Sequence, residues 1–508
     1  MTNIIFFKSR SEFDSEQNLK DFVSHCRDNL TLYEDQGGFN VNTWRYDDGK
    51  KKHAMVFAKY TTVKNNYQDE PFDEPFMSFA KSYIRYSQSH NEVSSIGNKM
   101  ILLRALHDAL LAVNDVADVL KTDGLVQSKV TELLNKRYPG SDILFRVGGQ
   151  AKLLYEFLVD KAFTLTLPIW KNHWKRQKAK AERTDEKSKA WQDERCPSMQ
   201  EMLAIAHCFA NAQTKKDKYW SSIISLLMFA PSRGGELSQL TVDSLHEEEG
   251  RLGVRWYGEK GFGHTIKWVP KAMEEMVKEA FRRLIEIGQP ARDAARFSHD
   301  NPGVFYRHPD CITPVHFPEN QPLNALQFAH AMSFGQGATE TIEAMGNGWN
   351  NSTAWDVFSN PKWLEKLRRH GNPTYQELAA YALDKYKNKD WPNLAKIERP
   401  IWDSLVLVRD REFHNGSRPK NFSWTIPDVN QLNDQLNMRL KKIKTIFMRF
   451  GLVNEDGSAI KMTSHQPRVW LSTNAERGGM DAWKLAQWAG RARIEDNKHY
   501  DLRTQDER

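Results

Sequence analysis

The sequence predicts a mainly α protein with small β elements, organised as more than one domain. Three observations carry this expectation. The chain has 508 residues, more than one hydrophobic core can organise, and suggests two to four domains. Apolar residues recur at i, i+3 and i+4 over several long stretches, the periodicity of amphipathic helices. Strand-like runs are short and fall in two hairpin patterns. A hydrophobic content of 40% with 27% charged residues is that of a globular chain.

The elements are taken in chain order. Residues 1–70 read as a small α+β region: a helix around Glu16–Asn29, then a hairpin in "NVNTWRYDDGKKKHAMVFAKY". There the Asp48-Gly49 turn separates two aromatic and β-branched runs. This hairpin suits either an arm-type DNA contact or a structural cap. The acidic, proline-containing "NNYQDEPFDEP" reads as a linker. Residues 76–190 are helical, with periodic segments "FMSFAKSYIRY", "IGNKMILLRALHDALLAVNDVADVL", "GLVQSKVTELLNKRY" and "AKLLYEFLVDKAFTL". The charge-dense "KNHWKRQKAKAERTDEKSKAWQDERCPS" is a solvated connector or a basic strap along a phosphate backbone.

Residues 196–508 form the last region. "SMQEMLAIAHCFANA" opens with a capping box, Ser198 with Glu201. "YWSSIISLLMFAPSRGGELSQL" is an apolar helix running into a second, and "GVRWYGEKGFGHTIKWVP" is a hairpin. Residues 290–440 are rich in Gly, Pro and Asn loops, with a helix capped by Thr374 and Glu377. "VNQLNDQLNMRLKKIKTIFMRFGL" and the terminal stretch supply the last helices.

Composition narrows the function. No apolar run approaches the ~18 residues of a membrane span. "MTNIIFFKSRSEFDSEQ" lacks the shape of a signal peptide, so a cytoplasmic, nucleoid-associated location is expected. Four scattered cysteines fit a reducing compartment. His299, His308, Cys311 and His316 match no strong zinc spacing and read as an ordinary loop. A net charge of +7 permits nucleic-acid binding without demanding it.

Phosphodiester cleavage without a metal needs a nucleophile, cations on the non-bridging oxygens, an acid for the leaving hydroxyl and a group for the nucleophile's proton. Guanidinium pairs bidentately with phosphate and keeps its proton. A tyrosine phenol becomes a nucleophile where such cations make it more acidic and a histidine accepts its proton. The sequence offers each type. "FAPSRGGELSQL" places Arg233 after an apolar helix, with Glu236 three residues on as its buttress. "YGEKGFGHTIKWVP" places Lys260 at the hairpin tip and Lys267 on the same hairpin. "SHQPRVW" places His465 and Arg468 at a helix start, where backbone N–H groups favour an anion. "NKHYDL" supplies Tyr500.

This ordered set resembles the tyrosine recombinase (phage integrase) family. R-x-x-E-L resembles its Arg box, the G-x-K-G hairpin its lysine-bearing strand pair, and "HQPR" its H-x-x-R box. The family places a His or Trp 23 residues after that second arginine and the tyrosine nine residues later; those positions here are 491 and Tyr500. Position 491 is an arginine, a departure from the family pattern, with Trp488 and His499 as nearby substitutes. The interval from Lys260 to His465 implies a large insertion, and only eight residues come after Tyr500.

The resemblance implies a helical core-binding domain and a mixed, mostly α catalytic domain. It also implies site-specific strand cleavage and rejoining through a 3′-phosphotyrosyl link, without metal or nucleotide cofactor. Arg233 and Arg468 would then clamp the phosphate, Lys260 would protonate the leaving oxygen, His465 would assist proton transfer and Tyr500 would attack; Arg491, off the family pattern, could still donate to the scissile phosphate. The implied partner is double-stranded DNA, bound by a homotetramer. A type IB topoisomerase, a telomere resolvase and a non-catalytic DNA-binding protein on the same scaffold are the alternatives.

Overall fold

The structure is a computed structural model. It describes the chain apart from residues 1–13, 48–51, 61–69, 92–95, 176–194, 259–262, 347–351, 359–360, 396, 441–442, 492 and 504–508. The fold is mainly helical with two small sheets, and the chain divides into two compact units, Met1–Lys178 and Ala179–Arg508.

In the first unit, α1 (Ser15–Asp28) starts where the Asp14 carboxylate accepts from the Gln17 amide at 2.9 Å. Strands β1 (Thr43–Asp47) and β2 (Lys52–Val56) pair antiparallel, with Trp44 opposite Met55. The Asp48-Gly49 turn lies outside the described residues. Helices α2 (Phe76–His90), α3 (Gly97–Asn114), α4 (Gly124–Arg137) and α5 (Asp142–Asp160) come next, the last two capped by Asp123 and Ser141. A single core joins Phe22, Trp44, Phe79, Leu106, Val130 and Leu154, so residues of the N-terminal region and of the four helices pack together. Arg85, fully buried on α2, reinforces this by donating to the Cys26 and Leu30 carbonyls.

The second unit begins at α6 (Met199–Asn211), whose Ser198–Glu201 capping box is fully formed. Helix α7 (Lys215–Ser225) packs on it, and the chain then enters the segment bearing Arg233. A three-stranded antiparallel sheet comes next, in the order β3 (Leu245–Glu248), β4 (Arg251–Gly258), β5 (Gly263–Trp268). Only β4 and β5 were expected from the sequence; β3 is short and polar and carries no alternating signal. The core of the unit gathers Phe229, Trp256, Phe281, Leu405 and Phe447.

The long α8 (Glu274–Asp300) leads into the inserted region. Helices α9 (Ala325–Ala331), α10 (Gln336–Ala344), α11 (Lys362–Leu367) and α12 (Tyr375–Tyr386) surround a separate core of Phe305, Phe328, Trp355 and Tyr375. Thr374 and Glu377 form the anticipated capping box. Leu407 and Trp424 pack against Ala291 and Ala294 of α8 in a further small core. The run expected to be helical over 429–452 is interrupted: α13 (Val429–Leu436) ends at an extended Asn437, and α14 (Ile446–Arg449) restarts at a Thr445 cap. Helices α15 (Gln466–Arg477) and α16 (Ala482–Trp488) and a 3₁₀ turn, Ile494–His499, complete the unit.

Among the described residues no helix is long and apolar enough to cross a membrane, and no group of three or more His, Cys, Asp or Glu is arranged to hold a metal ion. His308 is buried with its Nε2 2.9 Å from the Ala331 carbonyl, and His299 lies against Asp300.

Candidate functional site

The site is built on α15 and the loop before β3. His465 occupies the N-cap position of α15, and Arg468 lies one turn in, fully buried. Arg468 Nη1 donates to the Pro231 carbonyl at 3.0 Å, which ties α15 to the loop carrying Arg233. Gly234 makes that approach possible: a Cβ placed there would lie 3.0 Å from Ser464 Oγ and 3.2 Å from Ser464 Cβ. The small residue in "PSRGGEL" therefore has a packing reason beside its neighbour's chemistry.

Arg233 is held by Glu236. The carboxylate accepts from the Arg233 amide and from Arg233 Nη1, both at 3.1 Å, and from the Trp256 indole at 2.9 Å. Glu236 is almost fully buried, so its charge is spent locally on orienting the guanidinium.

Tyr500 comes directly after the 3₁₀ turn and is pinned to α15 through its main chain. Thr473 Oγ1 donates to the Tyr500 carbonyl at 2.9 Å and accepts from the Leu502 amide at 3.2 Å. The phenol ring meets three predicted residues. The His465 ring centroid is 5.4 Å away, the Arg468 guanidinium carbon 4.8 Å and the Arg491 guanidinium carbon 4.3 Å. Burial pushes the phenol up, but the charges of Arg468, Arg233 and Arg491 outweigh it and leave it below the usual tyrosine value of 10.0.

Arg491 is also buried. Its Nη2 donates to Ser472 Oγ at 2.7 Å and its Nη1 to the Asn497 side-chain oxygen, while Asn497 donates in turn to the Ala482 carbonyl. Burial, then the charge of Arg468, brings it down to about 9. His465 is brought down to about 4 by burial and by Arg195, Arg468, Arg233 and Arg491, so it is neutral at pH 7 and free to accept a proton.

Five of the six residues singled out from the sequence thus converge: Arg233, His465, Arg468, Arg491 and Tyr500. Lys260 lies outside the described residues. Trp488 packs against the main core of the unit. Lys267 sits inside the cluster, its ammonium donating to Ser232 Oγ at 2.7 Å and to the Pro231 carbonyl at 3.1 Å. Burial leads the causes that lower it to about 7. The signal for its inward position was strand alternation. Lys267 and Val269 are both buried, where a surface lysine would take the opposite face. Arg195, near the end of the charge-dense connector, was not singled out from the sequence, and it has no motif to mark it.

Buried, partnerless donors indicate what the site receives. Arg468 Nε and Nη2 and Arg491 Nε have no acceptor among the described residues. Leaving such donors unsatisfied costs ~1–3 kcal/mol each, more for charged groups, unless an anion fills the space. These donors and the α15 N-terminus are the kind of groups that a tetrahedral oxyanion beside the phenol would satisfy.

No family model matches the sequence, and no curated protein matches it. Among solved structures the chain is similar to the XerH site-specific recombinase bound to palindromic difH substrate in a post-cleavage complex. Identity is 10%, covering 98% of this chain and 94% of that one, with a TM-score of 0.41. A pre-cleavage complex of XerH with difH gives 10% identity, 99% and 96% coverage and a TM-score of 0.40. The XerA recombinase gives 13% identity, 84% and 95% coverage and a TM-score of 0.25.

Proposed function

We propose that this protein is a site-specific DNA recombinase that cleaves and rejoins strands through a 3′-phosphotyrosyl intermediate. The observation carrying this reading is the buried Arg468, two of whose donors meet no acceptor of good geometry among the described residues, set against the face of a phenol that it and its neighbours make more acidic. A scissile phosphate seated on Arg468 and Arg233 faces Tyr500. The phenol proton passes to neutral His465, the Tyr500 oxygen bonds phosphorus, and the bond to the 5′-oxygen breaks. The two guanidiniums stabilise the added charge of the pentacoordinate state. The leaving oxygen takes a proton from a lysine of the β4–β5 hairpin, Lys260 at its tip or Lys267 at its base. Attack by a 5′-hydroxyl reverses each step and restores Tyr500.

Arg491 takes a different part from the His or Trp of the family pattern. Ser472 and Asn497 occupy its Nη atoms, so it serves chiefly as a fixed cation over the Tyr500 ring. Double-stranded DNA is the proposed partner, with four protomers assembled on two duplexes and no metal or nucleotide cofactor.

Nicked suicide duplexes drawn from the flanks of the gene's own genetic element test the reading. A covalent protein–DNA adduct is expected with the wild type and absent with Tyr500→Phe. Absence of any adduct sinks the recombinase reading in favour of DNA binding alone. Relaxation of supercoiled DNA lacking the site transfers the chemistry to a topoisomerase.

A further inference from the structure

Three guanidiniums near Tyr500 were expected from the sequence, and the structure adds one more. Arg195 is the first described residue after 176–194, and its backbone is fixed by the residues C-terminal to it. Pro197 is buried, and Ser198 begins α6 with both bonds of its capping box in place. Cys196 packs with Tyr500 around Val469 and Leu502, in a small cluster separate from the main cores. Val469 lies four residues after His465, so these two occupy the same side of α15. Because Cys196 and Tyr500 pack against the same Val469–Leu502 cluster, the chain entering α6 passes beside the His465–Tyr500 pair at residue 195.

We propose that Arg195 is a positioning residue of the nucleophile, a further guanidinium delivered to the Tyr500–His465 pair by the chain entering α6. This inference rests on the recombinase reading for its purpose, though not for its geometry. The electrostatics agree with the packing. Arg195 is the largest charge acting on His465, ahead of Arg468, Arg233 and Arg491. Tyr500 is the charge partner that favours ionised Arg195 against its burial. Arg195 thus favours the neutral imidazole and stabilises the phenolate that forms, acting through Tyr500 and His465 rather than on the phosphate. The titratable and charged groups around Tyr500 are then His465 and Arg468 on α15, Arg233 on its loop, Arg491 after α16, and Arg195 ahead of α6.

The test needs neither DNA nor turnover. 3-Fluorotyrosine placed at position 500 reports the phenol's titration by ¹⁹F NMR. ¹³C-labelled histidine reports His465, assigned through His465→Gln. Removing the Arg195 charge with Arg195→Gln must move both midpoints upward, by about 0.8–2 pH units for a cation assumed to lie ~6–8 Å away at an effective dielectric of ~20–40. Arg195→Lys must restore both. A merely structural role needs a further variant to tell it apart. Loosening the cluster relaxes both groups toward their ordinary values, so Arg195→Gln alone would raise both midpoints there too, because charge outweighs burial at Tyr500. Arg195→Met separates the two roles: it keeps the aliphatic stem without the charge, so both midpoints must rise as far as in Arg195→Gln while Arg195→Lys stays at the wild-type values. Midpoints restored by Arg195→Met, or a Tyr500 midpoint that falls or does not change, overturn the proposal. Loss of the adduct in Tyr500→Phe bears on the recombinase reading and leaves this titration untouched, so the two fail separately.

Discussion

Glu476 on α15 is where pH reaches the segment that carries Tyr500. Its carboxyl shares a proton with Asp501, the residue next after Tyr500. Burial leads, followed by the hydrogen bond to and charge of Asp501, in pushing Glu476 from 4.5 up to about 7. Arg503 grips Asp501 at 3.0 and 3.1 Å and lies 3.4 Å from Glu476, so the ion pairs offset only part of the repulsion. Between pH 4.5 and 7 the folded chain keeps this proton where the unfolded chain has lost it. Stability from this site is therefore intact near pH 4.5, declines as pH rises and is lost above 7. The full difference is a ceiling of ~3 kcal/mol; relaxation of the pair brings the expected effect to ~2 kcal/mol. Glu476→Gln never ionises, so it escapes this decline. The variant's Tm minus that of the wild type, measured by calorimetry, should grow by ~4 °C between pH 5 and pH 8. Other titrating groups are common to both proteins and cancel in that difference. A flat or falling difference refutes the shared proton.

The same geometry gives two further expected outcomes. Gly234→Val should cost ~1–3 kcal/mol and sharply lower adduct yield, because its side chain drives the Arg233 loop off Ser464; unchanged cleavage on suicide duplexes contradicts the close approach. Sulfate binding at pH 7, measured calorimetrically in two buffers of different ionisation enthalpy, should take up a fraction of a proton, because Lys267 rests near 7 and an anion favours its charged form. Lys267→Met should bind without uptake, and equal uptake in both proteins assigns the proton elsewhere.

Local chemistry made the central part of the site legible in the sequence. His465 and Arg468 are three residues apart across a helix start, and Tyr500 comes at an interval set by one short helix and one 3₁₀ turn. Intervals of this kind survive sequence change because helix geometry enforces them. The capping boxes at Ser198 and Thr374 were legible for the same reason, each being one turn of chain. What escaped depends on tertiary approach. Arg195 precedes Tyr500 by some 300 residues, and only the fold brings its neighbour Cys196 to the Val469–Leu502 cluster against which Tyr500 also packs. Thr473 looks like any helical threonine until its hydroxyl is seen between the Tyr500 carbonyl and the Leu502 amide. The break between α13 and α14 was hidden because an apolar periodicity runs through it, whereas an extended Asn437 and a Thr445 cap decide the backbone.

The charges of the site account for its titration behaviour. Arg233, Arg468, Arg491 and Lys267 act on one another in a largely buried space, faced by the carboxylate of Glu236 and, at Arg491, by Glu476. Glu236 is already committed to the Arg233 amide, the Arg233 guanidinium and the Trp256 indole. Burying cations without equal compensation is costly, and the groups respond by giving up protons more readily: Lys267 near 7, Arg491 near 9, His465 near 4. A phosphate bound on Arg468 reverses each of these tendencies at once. On the proposed reading, the arginine at 491 then makes physical sense. A histidine or tryptophan there would donate one hydrogen bond to the phosphate, whereas Arg491 adds a permanent charge against the Tyr500 ring. Ser472 and Asn497 hold that charge in place whether or not DNA is present. The nucleophile is thereby made acidic by the protein's own fixed charges before any substrate arrives, and the phosphate needs only Arg233, Arg468 and the helix terminus to seat it.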